Sequence, residues 1–231
     1  MTTTTTTAKL TRAAGISAAT AGAIFVGVQI KHPAFTVQAF TDGISWHVRS
    51  IAKLVMSGLA IAGLTGMYLH QRRQVGKLGV IGYLTFVIGY VLMSSVEAIA
   101  AFVLPGEAHS RPGYVNDVLR ASAGMKTAGD IGSMQTLFNL MGVTYTVGGL
   151  LFGIALFRAH VLSRYAAALL AAGAVGIAAL EFLPTSFDRP MAVPTGVALI
   201  GLGVSLWRTQ RASTPAAAPT TAAVATAGAG R

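Results

Sequence analysis

LGVIGYLTFVIGYVLMSSVEAIAAFVL, residues 78–104, is the stretch that decides the fold: 27 residues hold a single charge, Glu97, and the run stops at Pro105-Gly106. As a helix rising about 1.5 Å per residue it reaches roughly 40 Å, more than the roughly 30 Å hydrocarbon layer of a bilayer. It is expected to span a membrane with some tilt. Tyr83, Tyr90 and Glu97 recur every seven residues and share one helix face with Ser94, while the other faces are Val, Ile, Leu and Phe. That face is expected to look at protein rather than lipid.

Working outward, five more apolar runs give about six spans, at 13–30, 51–69, 78–104, 134–157, 165–183 and 191–207. The fold class expected is all-α, a polytopic transmembrane helical bundle. Hydrophobic residues make up 53% of the chain and charged residues 10%, against about 25% charged in soluble domains. The longest stretch between runs, 105–133, is below the size at which a chain builds its own core. One membrane domain, 12–208, is therefore expected between two polar low-complexity tails, 1–11 and 209–231. Lys9 and Arg12 ahead of the first run, with Val37-Gln38-Ala39 behind it, also fit a secretory signal. The first run is long for a signal, and a retained span is the expectation.

The formal net charge of +10 raises the question of nucleic acid, and its placement answers in favour of topology. Lys9, Arg12, Arg72, Arg73, Lys77, Arg158, Arg164, Arg208, Arg211 and Arg231 all fall in alternate flanking segments, which hold no Asp or Glu. Asp42, Glu107, Asp117, Asp130, Glu181 and Asp188 lie in or beside the other flanks, mixed with basic residues. By the positive-inside rule both termini are cytoplasmic. The lipid bilayer is then the partner, together with a second copy or another membrane protein; no nucleic acid is expected. The absence of cysteine excludes disulfides and thiolate metal sites.

Small residues at every fourth position mark packing ridges: Gly15, Ala19, Ala23 and Gly27 in the first span, and Gly58, Ala62 and Gly66 in the second. In the fourth span Gln135, Asn139, Gly142, Thr146, Gly149 and Gly153 form a face that is polar in its outer half and small in its inner half. The outer flank 31–50 carries Phe35, Phe40, Ile44 and Trp46, suited to the headgroup level, and Tyr114 to Met125 reads as a short interfacial helix. Spans two and three resemble spans four and five, each pair having a basic turn and a carboxylate shortly before Leu-Pro; a duplicated hairpin is one reading of this.

VQIKHP (28–33), SVEAIAAFVLP (95–105), GYVNDVLRA (113–121), GGLLFGIALFRAHVL (148–162) and VPTGVALIGLGVSLWR (193–208) carry a further likeness. On them the chain resembles an uncharacterised family of small multi-pass membrane proteins of high-GC Gram-positive bacteria. The resemblance covers nearly everything between the tails and implies a bacterial plasma membrane location. It implies no activity.

Chemistry, if any, centres on Glu97, seven residues below the outer end of its span and so about 10 Å deep. A carboxylate at that depth needs a partner or a cavity. Asn139 and Gln135 lie at matching depth on span four, and with Tyr90 and Ser94 they complete a candidate polar intramembrane cluster, to which the shallower Glu181 is an outlying member. The cluster reads either as an outward-facing site for a cation, proton or polar solute, or as a clamp between spans three and four. Lys53, three residues inside span two, reads as a side chain snorkelling to the interface. His32, His47 and His109 match no metal-ligand spacing, and His70 and His160 sit at span ends, so neither a metal nor a haem is expected. No HExxH, P-loop or nucleophile elbow occurs. The expectation is a non-catalytic membrane partner or sensor without cofactor; the alternative is a small-solute, cation or proton carrier working through Glu97.

Overall fold

A computed structural model describes residues 2–41, 44–179 and 188–212. All regular structure among them is helical: α1 (Thr2–Gly27), α2 (Val37–Thr41), α3 (Ile44–Gln71), α4 (Gly76–Phe102), α5 (Leu104–Ser110), α6 (Pro112–Ser122), α7 (Ser133–Ala159), α8 (Arg164–Ala179) and α9 (Asp188–Ala212). Five of these, α1, α3, α4, α7 and α9, are long and apolar enough to cross a membrane; α8 is apolar but shorter. Helix ends follow local chemistry. Gly76 takes a positive φ of 59° at the start of α4, a conformation with no penalty for a residue lacking Cβ. Pro105 and Pro112 bound α5, since each lacks an N–H and disfavours helical geometry in the residue before it; Arg111 accordingly leaves the α region.

Two elements outrun their apolar cores. α1 starts at Thr2, inside the stretch expected as a tail, because extending an existing helix costs far less than nucleating one. α3 starts at Ile44, seven residues before the second apolar run, and buries Trp46 against its neighbours. Pro194 lies within the continuous helix α9. The tail beyond Ala212 lies outside the described residues.

The six longest helices form a closed ring in the order α1, α3, α4, α7, α8, α9, with α9 packing back on α1. Every neighbouring pair is antiparallel. Gly15 faces Gly203 and Trp207, Thr65 meets Tyr83 across α3 and α4 at 2.9 Å, and Gly89 faces Tyr145. The Thr2 end of α1 and the Ala212 end of α9 therefore lie on the same side of the ring. Its middle is filled by Phe86, Phe152, Leu64, Met67, Leu156, Leu170, Leu199 and Leu202, none of them exposed.

Close approach depends on glycine, because lipid offers no hydrophobic drive for helix association and backbone contact must supply the attraction. A methyl group on Gly89 would fall 2.8 Å from the Tyr145 nitrogen, and one on Gly153 would fall 2.7 Å from the Ala171 nitrogen. The expected ridges are placed correctly only in part. Gly15, Gly149 and Gly153 are buried in contacts, but Ala23, Gly27, Gly58 and Ala62 face outward, and Gly63 with Ala18 makes the α1–α3 contact. A four-residue repeat drifts round a 3.6-residue helix, so its members do not all stay on one seam; Gly66 still meets Ala14 while Ala62 faces outward. The outward surface is apolar: Ile81, Leu84, Ile88 and Val91 form a half-exposed stripe along α4, as a lipid-facing surface requires.

At one end α2, α5 and α6 cover the ring through a second cluster, Phe40, Trp46, Val96, Leu104, Val115, Val118, Leu119, Ile131 and Phe138. The helix expected at Tyr114–Met125 is thus α6, folded over the bundle end through Val115, Val118 and Leu119. Asp117 of α6 accepts from the Ala128 and Gly129 nitrogens at 3.0 and 2.8 Å, which pins the loop behind it. Arg49 donates to the carbonyls of Val28, Ile30 and Lys31 at 2.6–3.1 Å, tying the exit of α1 to α3.

Candidate functional site

Glu97 is buried, on the α4 face where Tyr83 is half-buried and Tyr90 fully buried. Its partner is Lys53 of α3, whose Nζ donates to Glu97 Oε1 at 3.0 Å. The side chains are 22% and 10% exposed, so the pair sits largely out of solvent and cannot be read as a surface ion pair. The α3–α4 hairpin sets this register. Lys53 precedes Val75 by 22 residues and Glu97 follows it by 22, so the two occupy the same depth on facing helices. Lys53 does not snorkel outward, because a carboxylate meets it inside. Ser57 on the next turn donates to the Lys53 carbonyl at 2.9 Å.

The pair forms part of the wall of a cavity of about 570 Å³ at the end covered by α6. α1 contributes Phe25, and the segment after it Val28, His32 and Phe35; α3 contributes Trp46 and Met56; α4 contributes Met93, Val96 and Ala100; α7 contributes Met134, Phe138, Met141 and Gly142. Val118 and Leu119 of α6 form its cover, and Ile177 and Ala192 close it on the α8–α9 side. Four methionines in one wall make a surface that adapts to shape. Trp46 is held by His32 (4.9 Å, edge-on), Phe35 (5.5 Å) and Phe40 (5.8 Å), and its indole nitrogen is buried without an acceptor.

The remaining candidates do not gather round Glu97. Gln135 Nε2 donates to Asn139 Oδ1 at 3.0 Å, but both residues are exposed and neither lines the cavity, so the expected Glu97–Asn139–Gln135 cluster is not assembled. The polar half of the α7 face turns outward, and Phe138 with Met141 turns inward instead. Ser94 donates to the Tyr90 carbonyl one turn back, at 2.9 Å. Tyr90 lies below the cavity in an aromatic group with Phe86 and Tyr145, at centroid distances of 5.0 and 5.4 Å. Its hydroxyl, that of Tyr145 and that of Thr195 are buried together, Tyr145 lying between the other two. Glu181 lies outside the described residues. Among the described residues no three His, Asp or Glu side chains converge as metal ligands would; His47 packs against Phe102 instead.

Lys53, Trp46 and the methionines are the site residues that pattern reading overlooks. Lys53 was legible in principle, since counting outward from the basic turn pairs it with Glu97. The methionines carried no such signal, because a helix position alone does not say whether an apolar side chain meets core, lipid or a void. No protein-family model matches this chain, no curated protein is similar to it, and no solved structure matches its fold.

Proposed function

We propose that this chain is a six-span integral membrane protein, with both termini cytoplasmic, that binds a small amphipathic molecule in its outer-end cavity and acts as a sensor-type binding bundle. α8, although short, counts as the sixth span in this reading, because it completes the antiparallel ring and lies between two spans. The bacterial plasma membrane is the proposed location, on the strength of the family resemblance. One observation carries the binding role: a cavity of about 570 Å³ whose apolar wall contains the Lys53–Glu97 pair. That volume falls within the roughly 300–1,000 Å³ of small-molecule sites, and an apolar wall with a few convergent polar groups is their usual make-up. A glutamate acting only as a clamp needs no cavity beside it.

A carrier remains the second reading, favoured by the buried hydroxyls of Tyr90, Tyr145 and Thr195 below the cavity. Against it stands the packed middle of the ring, which closes the route inward. The chain has two tryptophans, so Trp207→Phe leaves Trp46 as a reporter in the cavity wall. The test is the Trp46 emission of that full-length protein in lipid nanodiscs, titrated with ten-carbon amphiphiles. A saturable shift, weakened by Gly142→Phe, is expected; Gly142 lines the cavity and a Cβ added there meets no atom within 4 Å, so the backbone position admits a side chain. A response that only follows partitioning into lipid would reduce Glu97 to a clamp.

A further inference from the structure

The end of the ring opposite the cavity is basic without any acid, and three of its arginines stand where lipid headgroups lie. Arg158 follows Val147 by 11 residues along α7, and Arg208 follows Val197 by 11 along α9. That interval is about three helical turns, so each arginine continues the face on which Val147 and Val197 are 42% and 45% exposed. α8 packs between these two helices. It opens with Arg164 and Tyr165, and Tyr165, 92% exposed, shares a face with exposed Ala168 and Ala172. The lipid-facing sides of α7, α8 and α9 thus end in one rim of Arg158, Arg164, Tyr165 and Arg208.

Contacts within the chain hold this rim in place. The Arg164 guanidinium lies over the Phe157 ring, 4.4 Å from its centroid. The Ser163 nitrogen donates to Ser205 Oγ at 3.0 Å, which ties the α7–α8 turn to α9 within one helical turn of Arg208. No Asp or Glu occurs in the flanks at this end. The two ion pairs among the described residues, Lys53–Glu97 and Arg111–Glu107, lie at the other end. Anions for the rim must therefore come from outside the chain. A guanidinium presents a planar fork of N–H donors that fits two phosphate oxygens, and an exposed tyrosine suits the headgroup level. We propose that the rim seats the phosphate head of an anionic phospholipid, with its acyl chains along the apolar faces of α7, α8 and α9. The position of the arginines decides the source of the phosphate. Each stands at the end of an apolar face, which a lipid covers with its chains and a free phosphate ester leaves bare.

The experiment uses the full-length chain in neutral detergent micelles doped with phosphatidylglycerol or phosphatidylcholine. Native mass spectrometry reads the lipid retained, and thermal melts read stability. Phosphatidylglycerol is expected to bind about tenfold or more tighter than phosphatidylcholine and to raise the melting temperature further. Arg158→Gln/Arg164→Gln/Arg208→Gln should lose that preference while melting like the wild type in phosphatidylcholine. The double variant Arg158→Gln/Arg208→Gln leaves Arg164 on Phe157 and should lose most of the preference too. Arg72→Gln/Arg73→Gln/Lys77→Gln removes the same charge from the α3–α4 turn and should keep it. Glycerol phosphate in large excess should not displace the bound lipid. Three results overturn the proposal: no preference for phosphatidylglycerol, equal losses in the two triple variants, which would mean attraction to net charge alone, or displacement by glycerol phosphate, which would assign a free phosphate ester. None of them bears on the cavity at the other end.

Discussion

At the scale of single residues, Lys53 and Glu97 decide more than any other pair. Removing one partner of a buried ion pair strands the other, and the cost in fully buried cases is about 3–5 kcal/mol; Lys53 remains 22% exposed, so the lower end applies here. Glu97→Leu is therefore expected to destabilise by up to about 3 kcal/mol. Glu97→Gln, which still accepts a hydrogen bond from Lys53, should cost less, and the double variant Lys53→Gln/Glu97→Gln should melt close to wild type. Thermal melts in one lipid environment check this, and a double variant as unstable as Glu97→Leu would show that the charges themselves hold the helices. Asp117 gives a pH prediction. The Ala128 and Gly129 N–H groups hold its carboxyl below the ordinary carboxylate value of 3.8. The stabilisation is thus complete above that value and is lost as pH falls through the lower folded value. Amide protection at Ala128 and Gly129, corrected for intrinsic exchange, should stay level down to about pH 4 and then collapse. In Asp117→Asn it should be weak throughout and insensitive to pH over that range.

At the scale of elements, the glycine contacts set how closely the helices approach. Gly153→Leu forces its side chain into the Ala167–Ala171 backbone of α8, and overpacking of this kind costs about 1–3 kcal/mol. Gly58→Leu, on an open outward face of α3, should cost nothing or stabilise slightly, since leucine outranks glycine in helix propensity by up to about 1 kcal/mol. A melting-temperature drop confined to Gly153→Leu is the expected result; equal drops would show that α7 and α8 do not meet there. The two glycines look alike in the chain, each a small residue in an apolar run. Only the packing separates them.

At the scale of the molecule, an antiparallel ring of six helices puts every second connection at the same end, and the basic residues of 70–77 and 158–164 then lie together with the N-terminal basic residues. Reporter fusions after Arg73 and Arg164 are expected to behave as cytosolic and one after Pro112 as external. Either loop on the opposite side would invert the bundle and place the cavity at its inner end. A loss of the fifth crossing would instead show as matching sides for fusions after Arg164 and beyond Pro190, which tests the short helix α8 directly.

The sequence by itself determined that the chain is helical and built for a membrane, and which residues lie near one another along each helix. Uninterrupted apolar runs longer than a bilayer and the one-sided placement of basic residues are local quantities, and the backbone's need for internal hydrogen bonds in lipid leaves helices as the outcome. It also marked Glu97, because one charge in 27 apolar residues stands out without any knowledge of neighbours. Only the tertiary structure decided what meets Glu97. The choice between Lys53 and Asn139 depended on how α4 is rotated between α3 and α7, and rotation is set by steric fit summed over whole helix faces, such as Gly89 against Tyr145. The cavity was decided at the same level, since a void is what remains after several segments have packed, and no residue carries its mark alone.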